Sequence, residues 1–94
     1  MDATTFELPA VLDLKATGPL AEKFLGLRGQ NVVIDASKVE RVGTQCVQIL
    51  LSAAATWKDD MTPLAIANPS DAFCAGLKLL GLSPETVMEK DIAQ

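Results

Sequence analysis

Between Asp35 and Cys46 the chain gathers two carboxylates, two hydroxyls and a thiol: Asp35, Glu40, Ser37, Thr44 and Cys46. An apolar strand, Val32-Val33-Ile34, runs into the aspartate, a loop follows, and a helix opens on Thr44. The first amides of a helix have no intrahelical acceptor. With a threonine hydroxyl beside them they suit a phosphate, a carboxylate or a partner protein. Thr44 is expected to cap the helix by accepting an amide N–H, a role typically worth about 1 kcal/mol. The same hydroxyl could take a phosphate, because a dianion at a helix amino terminus is favoured by the dipole. Gly43 is expected to supply a positive φ, and Asp35 to accept backbone N–H groups of its own loop. Gln45 and Gln48 fall on a polar strip and are read as partner contacts. Cys46 and Cys74 lie on apolar helix faces, where cysteine behaves as a small hydrophobe. The one argument for reactivity is the position of Cys46 near a helix amino terminus, which lowers a thiol pKa.

Much other chemistry lacks its residues. There is no histidine, so neither a histidine-based triad nor a histidine zinc site can be built. The two cysteines form no CxxC pair or metal spacing. No nucleophile–base pair is visible, no cofactor is implied, and the expectation is a protein that is not an enzyme. A net charge of -4 with scattered basic residues (Lys58, Lys78 and Lys90 each stand alone) argues against nucleic acid. The apolar runs are too short to span a bilayer, and Met1-Asp2-Ala3-Thr4-Thr5 lacks the basic start of a signal peptide. A cytoplasmic protein without direct membrane insertion is the expectation.

The elements that must position these residues follow from periodicity. With 94 residues, 49% of them hydrophobic, the chain is read as one domain, residues 1–94. Thr5–Leu8 and Val11–Leu14 alternate and flank Pro9, which predicts two strands in a tight antiparallel hairpin. Thr17-Gly18-Pro19 predicts a helix start capped by Thr17, with Leu20, Phe24 and Leu27 facing the core and Gly29 ending the helix. Asn31–Asp35 predicts a strand covered on both faces. The second helix is expected from about Thr44 to Trp57, apolar over Cys46, Ile49, Leu50, Ala53 and Trp57. Trp57 itself is expected to be partly buried, and Asp59-Asp60 to be a solvated turn. Leu64–Ala67 reads as a strand, and Ser70 as the cap of a helix burying Phe73, Leu77 and Leu80 and ending at Gly81. Val87 and Met88 fit either a strand or a helical turn. Strands alternating with helices predict a mostly parallel sheet with an initial hairpin, and functional loops beyond the carboxyl ends of its strands.

This order of elements resembles the STAS domain of bacterial anti-sigma-factor antagonists. Val33-Ile34-Asp35-Ala36-Ser37-Lys38-Val39 is similar to the family's strand ending in aspartate and serine. Asn68-Pro69-Ser70 resembles its fourth-strand exit, and Leu79-Leu80-Gly81-Leu82 its third-helix ending. Phosphorylatable members carry Asp-Ser-Ser-Gly where this chain has Gly43-Thr44-Gln45-Cys46, and a partner kinase phosphorylates their second serine. Glutamine at that position has no hydroxyl, so Thr44 is the position that could be phosphorylated. Cytoplasmic STAS subunits of lipid ABC transporters carry threonine there but keep the preceding aspartate. A Gly-Thr-Gln-Cys loop is similar to that of small stand-alone STAS proteins of bacterial chemotaxis systems.

The resemblance implies an α/β fold: one STAS-like domain, a four- to five-stranded mixed β-sheet, and three to four helices. It also implies a non-enzymatic signalling module that binds and modulates a partner kinase. A chemotaxis-type histidine kinase is favoured, with Gly43, Thr44, Gln45 and Gln48 as the partner-binding residues. The alternatives are an antagonist binding an anti-sigma kinase and a transporter subunit.

Overall fold

The computed structural model describes residues 3–89. Met1, Asp2 and Lys90 lie outside them. The elements in order are β1 (Thr4–Glu7), β2 (Val11–Leu12), α1 (Thr17–Leu27), β3 (Val32–Asp35), β4 (Arg41–Val42), α2 (Thr44–Asp59), β5 (Leu64–Ala67), α3 (Asp71–Lys78) and α4 (Pro84–Glu89). A 3-10 turn over Leu14–Ala16 leads into α1. The α/β class, the five strands and the four helices agree with expectation.

The strands form a three-stranded sheet in the order β1-β3-β5 and a separate pair, β2 with β4, and every pairing is parallel. The expected hairpin is not formed. β1 pairs with β3, and the Leu8 N–H extends that ladder by donating to the Asp35 carbonyl at 2.9 Å. The chain then turns through Pro9, and the Ala10 carbonyl accepts the Glu40 and Arg41 N–H groups at 2.7 and 3.1 Å. Alternation fixes which face of a strand is buried, and it is the same whichever neighbour the strand takes. That is why the pattern could not separate a hairpin from two parallel ladders.

In register, Phe6, Ile34 and Ile66 lie across the sheet on its core face. Phe6 meets Phe24 of α1 edge-to-face at 5.3 Å, and Phe24 meets Trp57 of α2 in the same way at 5.8 Å. Such edge-to-face pairs add to plain area burial. Trp57 is fully inside rather than partly exposed, and its indole N–H donates to the Gln30 carbonyl at 2.8 Å. The opposite face of the sheet is less covered than predicted, with Val33 half-buried between exposed Thr5 and Ala65.

The caps show where local rules held. Ser70 caps α3 as expected, accepting the Phe73 N–H at 3.0 Å. Its hydroxyl also donates to the Val39 carbonyl at 2.6 Å, which joins α3 to the loop after β3. Gly29 has a φ of 88° at the end of α1. Thr17 is not a cap, because the preceding 3-10 turn already supplies helical backbone and the Thr17 hydroxyl donates to the Leu14 carbonyl. Leu80 lies past the end of α3 and is 43% exposed, so it does not join Phe73 and Leu77 in the core. Val87 is buried within α4. The Asp59-Asp60 turn is more than solvated: Asp60 accepts two hydrogen bonds from Arg28, at 2.8 and 3.1 Å.

Candidate docking site

The junction between β4 and α2 is built on close backbone packing. Gly43 precedes α2 with extended backbone (φ -99°, ψ 161°), so its role is not a positive φ. Its N–H donates to the Leu12 carbonyl at 2.8 Å. A Cβ on Gly43 would stand 3.3 Å from that same oxygen, so glycine eases a close approach rather than a turn. The Gly43 carbonyl accepts the Val47 N–H and opens the helix. Gly43 therefore holds the cap position and Thr44 is the first helical residue, contrary to the capping role expected for its side chain. A capping side chain needs extended backbone at its own residue. Here only Gly43 has that.

No side chain caps α2, and no acidic residue stands in its first turn. The partial positive charge of the helix end is therefore not offset by a local carboxylate. Thr44, Gln45 and Gln48 are all exposed there, and Gln48 lies one turn beyond Thr44 on the same face. The structure thus brings the four predicted binding residues to one surface.

Cys46 points the other way. It is fully buried, and its thiol donates to the Asp13 carbonyl at 3.4 Å. Burial, with the Asp13 charge second, pushes its pKa up, so the helix terminus does not make it a reactive thiolate. Cys46 acts instead as a pin between α2 and the turn after β2. Asp13 caps that turn, accepting the Lys15 N–H at 3.1 Å.

Leu14 was missed by sequence reasoning. Read as a strand, Val11–Leu14 places Leu12 and Leu14 on one buried face. The strand stops at Leu12, and the 3-10 turn leaves Leu14 68% exposed beside the α2 terminus. The capping sequence Asp13-Leu14-Lys15 was the available signal, since aspartate favours turns over strands.

The loop from Ala36 to Glu40 is tied down at several points. Asp35 accepts the Ser37 N–H at 2.9 Å, as expected, and hydrogen bonds from Ser37 hold its carboxyl below the usual range. The Ala36 carbonyl accepts N–H groups from Val39 and Ser70, and Val39 is buried. Rigid support of this kind lowers the entropic cost of docking. Among the described residues, no cluster of three metal-ligating side chains occurs and no polar or charged residue is buried. Nor is any of their helices long and apolar enough to cross a membrane.

Fold and site together define a small α/β module in which a helix terminus without a side-chain cap stands at the surface. A family model described as Mlab, STAS domain, matches residues 2–88, and the chain belongs to the STAS domain family. No curated protein and no solved structure gives a significant match. STAS domains are in general non-enzymatic modules that interact with other proteins, in signalling or in association with transporters.

Proposed function

We propose that this protein is a non-enzymatic signalling module that docks on a partner kinase through Gly43, Thr44, Gln45 and Gln48. The favoured partner is a chemotaxis-type histidine kinase. The observation that carries this reading is the start of α2, where Thr44, Gln45 and Gln48 are exposed and no side chain caps the helix. The free amides of that turn and the amide groups of Gln45 and Gln48 must be met by acceptors and donors of a partner when they are covered, which makes the contact selective. Gln45 at the family's phosphoacceptor position leaves Thr44 as the one hydroxyl in that turn. A phosphate on Thr44 would sit at the positive end of the helix, and its charge would disrupt a neutral contact.

A second reading, a cytoplasmic subunit of a lipid ABC transporter, is favoured by the family description and by threonine at position 44. Purification from native cell extract with identification of the retained protein separates the two. A histidine kinase supports the first reading, and a transporter ATPase overturns it in favour of the second. With the kinase in hand, Thr44→Arg and Gln48→Arg should each weaken binding at least tenfold while leaving the circular dichroism unchanged. Unaltered affinity in both variants would move the interface elsewhere. With labelled ATP, label at Ser37, or at no residue, would exclude Thr44 as the gate.

A further inference from the structure

A concave site lies between the β1–β2 segment and the start of α1. It is lined by Phe6, Pro9, Leu12, Ala16, Pro19, Leu20 and Lys23 and has a volume of about 280 Å³. That is near the lower edge of the range for small-molecule clefts, roughly 300–1,000 Å³. Phe6, Leu12 and Leu20 belong to the hydrophobic core, so the wall they form is anchored in the fold.

The lining carries one charge. Lys23 holds its ammonium 5.6 Å from the centroid of the Phe6 ring, within reach of a cation–π attraction. Among the described residues Lys23 has no carboxylate within ion-pair distance, whereas Arg28 is paired with Asp60 and Lys38 with Glu7. The groove between α1 and α2 differs in this respect, since its cation, Arg28, is already held by Asp60 on two hydrogen bonds.

We propose that the Lys23 cleft binds a small anionic amphiphile, a medium-chain carboxylate, with its tail against Phe6, Leu12, Ala16 and Leu20 and its headgroup on Lys23. The cleft is partly open to solvent, so a medium-chain tail would lie along its apolar wall with its free end reaching water. The charge decides the class of ligand. A neutral chain would gain the apolar wall but leave the ammonium unpaired. A dianion would bring more charge than one lysine offsets. Leu12 belongs to this wall while its carbonyl holds the Gly43 N–H, so an occupant would touch the strand that supports the α2 terminus.

The test is a titration followed by amide and methyl NMR with sodium octanoate, and with octanol as the uncharged control. Octanoate is expected to give saturable shifts at Phe6, Leu12, Leu20 and Lys23, and to bind about three- to fivefold more tightly than octanol, the most that an exposed ion pair contributes. The Lys23→Gln variant, altered at an exposed side chain, should bind the two ligands equally, and Lys23→Arg should restore the preference. Raising the salt concentration should narrow it. The proposal is overturned if octanoate shifts do not saturate, if they centre on Leu25 and Ile49 instead, or if wild-type protein binds octanol as tightly as octanoate.

Discussion

At Thr44 and Gly43 the difference of one position changes what each residue does. The chain places its extended residue where backbone passes close to Leu12, and a Cβ there would crowd the Leu12 carbonyl at 3.3 Å. Thr44 is thereby released from capping and left exposed. The opposite outcome holds at Ser70, whose hydroxyl accepts from Phe73 and donates to Val39. Ser70→Ala should lower stability by about 1–2 kcal/mol, read as a lower urea midpoint with an unchanged slope. Acid stability is set in part by Asp60, whose carboxyl the Arg28 hydrogen bonds hold below its usual range. A carboxyl lowered in the folded state stabilises it above the unfolded pKa of about 3.9, and that contribution is lost as pH falls through the folded value. Asp60→Asn should therefore flatten the acid limb of the stability–pH curve below about pH 4 and leave its shape near pH 7 unchanged. An identical acid limb in the variant would place the dependence at other carboxyls.

Two helical glycines have opposite surroundings. Gly76 of α3 faces β4, where an added Cβ would overlap Val42 Cγ1. Gly26 of α1 has open space around its Cβ position. Alanine is favoured over glycine in a helix interior by roughly 1 kcal/mol, so Gly26→Ala should raise stability by about 0.5–1 kcal/mol. At Gly76 the clash outweighs propensity, because α3 must lift from β4, and Gly76→Ala should lower stability by about 1–3 kcal/mol. Paired thermal melts check both signs at once. Element type was legible from local pattern: the helical spacing of Leu20, Phe24 and Leu27 is the buried face of α1. Element partnership was not. The alternation in Thr5–Leu8 and Val11–Leu14 is equally good for a hairpin and for the parallel ladders formed with β3 and β4.

Across the whole molecule, Trp57 links α2 to α1 through Phe24 and to the loop before β3 through Gln30. It is the sole tryptophan and is 2% exposed. Native fluorescence should be blue-shifted and poorly quenched by acrylamide. Its loss in urea should coincide with the loss of far-ultraviolet circular dichroism, as for one cooperative transition. Replacing it with alanine should remove about 3–5 kcal/mol. Small proteins have only about 5–15 kcal/mol of stability, so Trp57→Ala should unfold at a much lower urea midpoint than Trp57→Phe.

The sequence by itself determined the α/β class, the faces of the helices, the cap at Ser70, the turn at Gly29 and the absence of histidine chemistry. These depend on spacing and residue type over a few neighbours. The tertiary structure alone decided that β2 lies beside β4, that Cys46 is pinned under Asp13, and that Leu14 is exposed rather than part of the core. Each of those depends on which distant segment supplies a carbonyl or an apolar wall, and local periodicity carries no record of the partner.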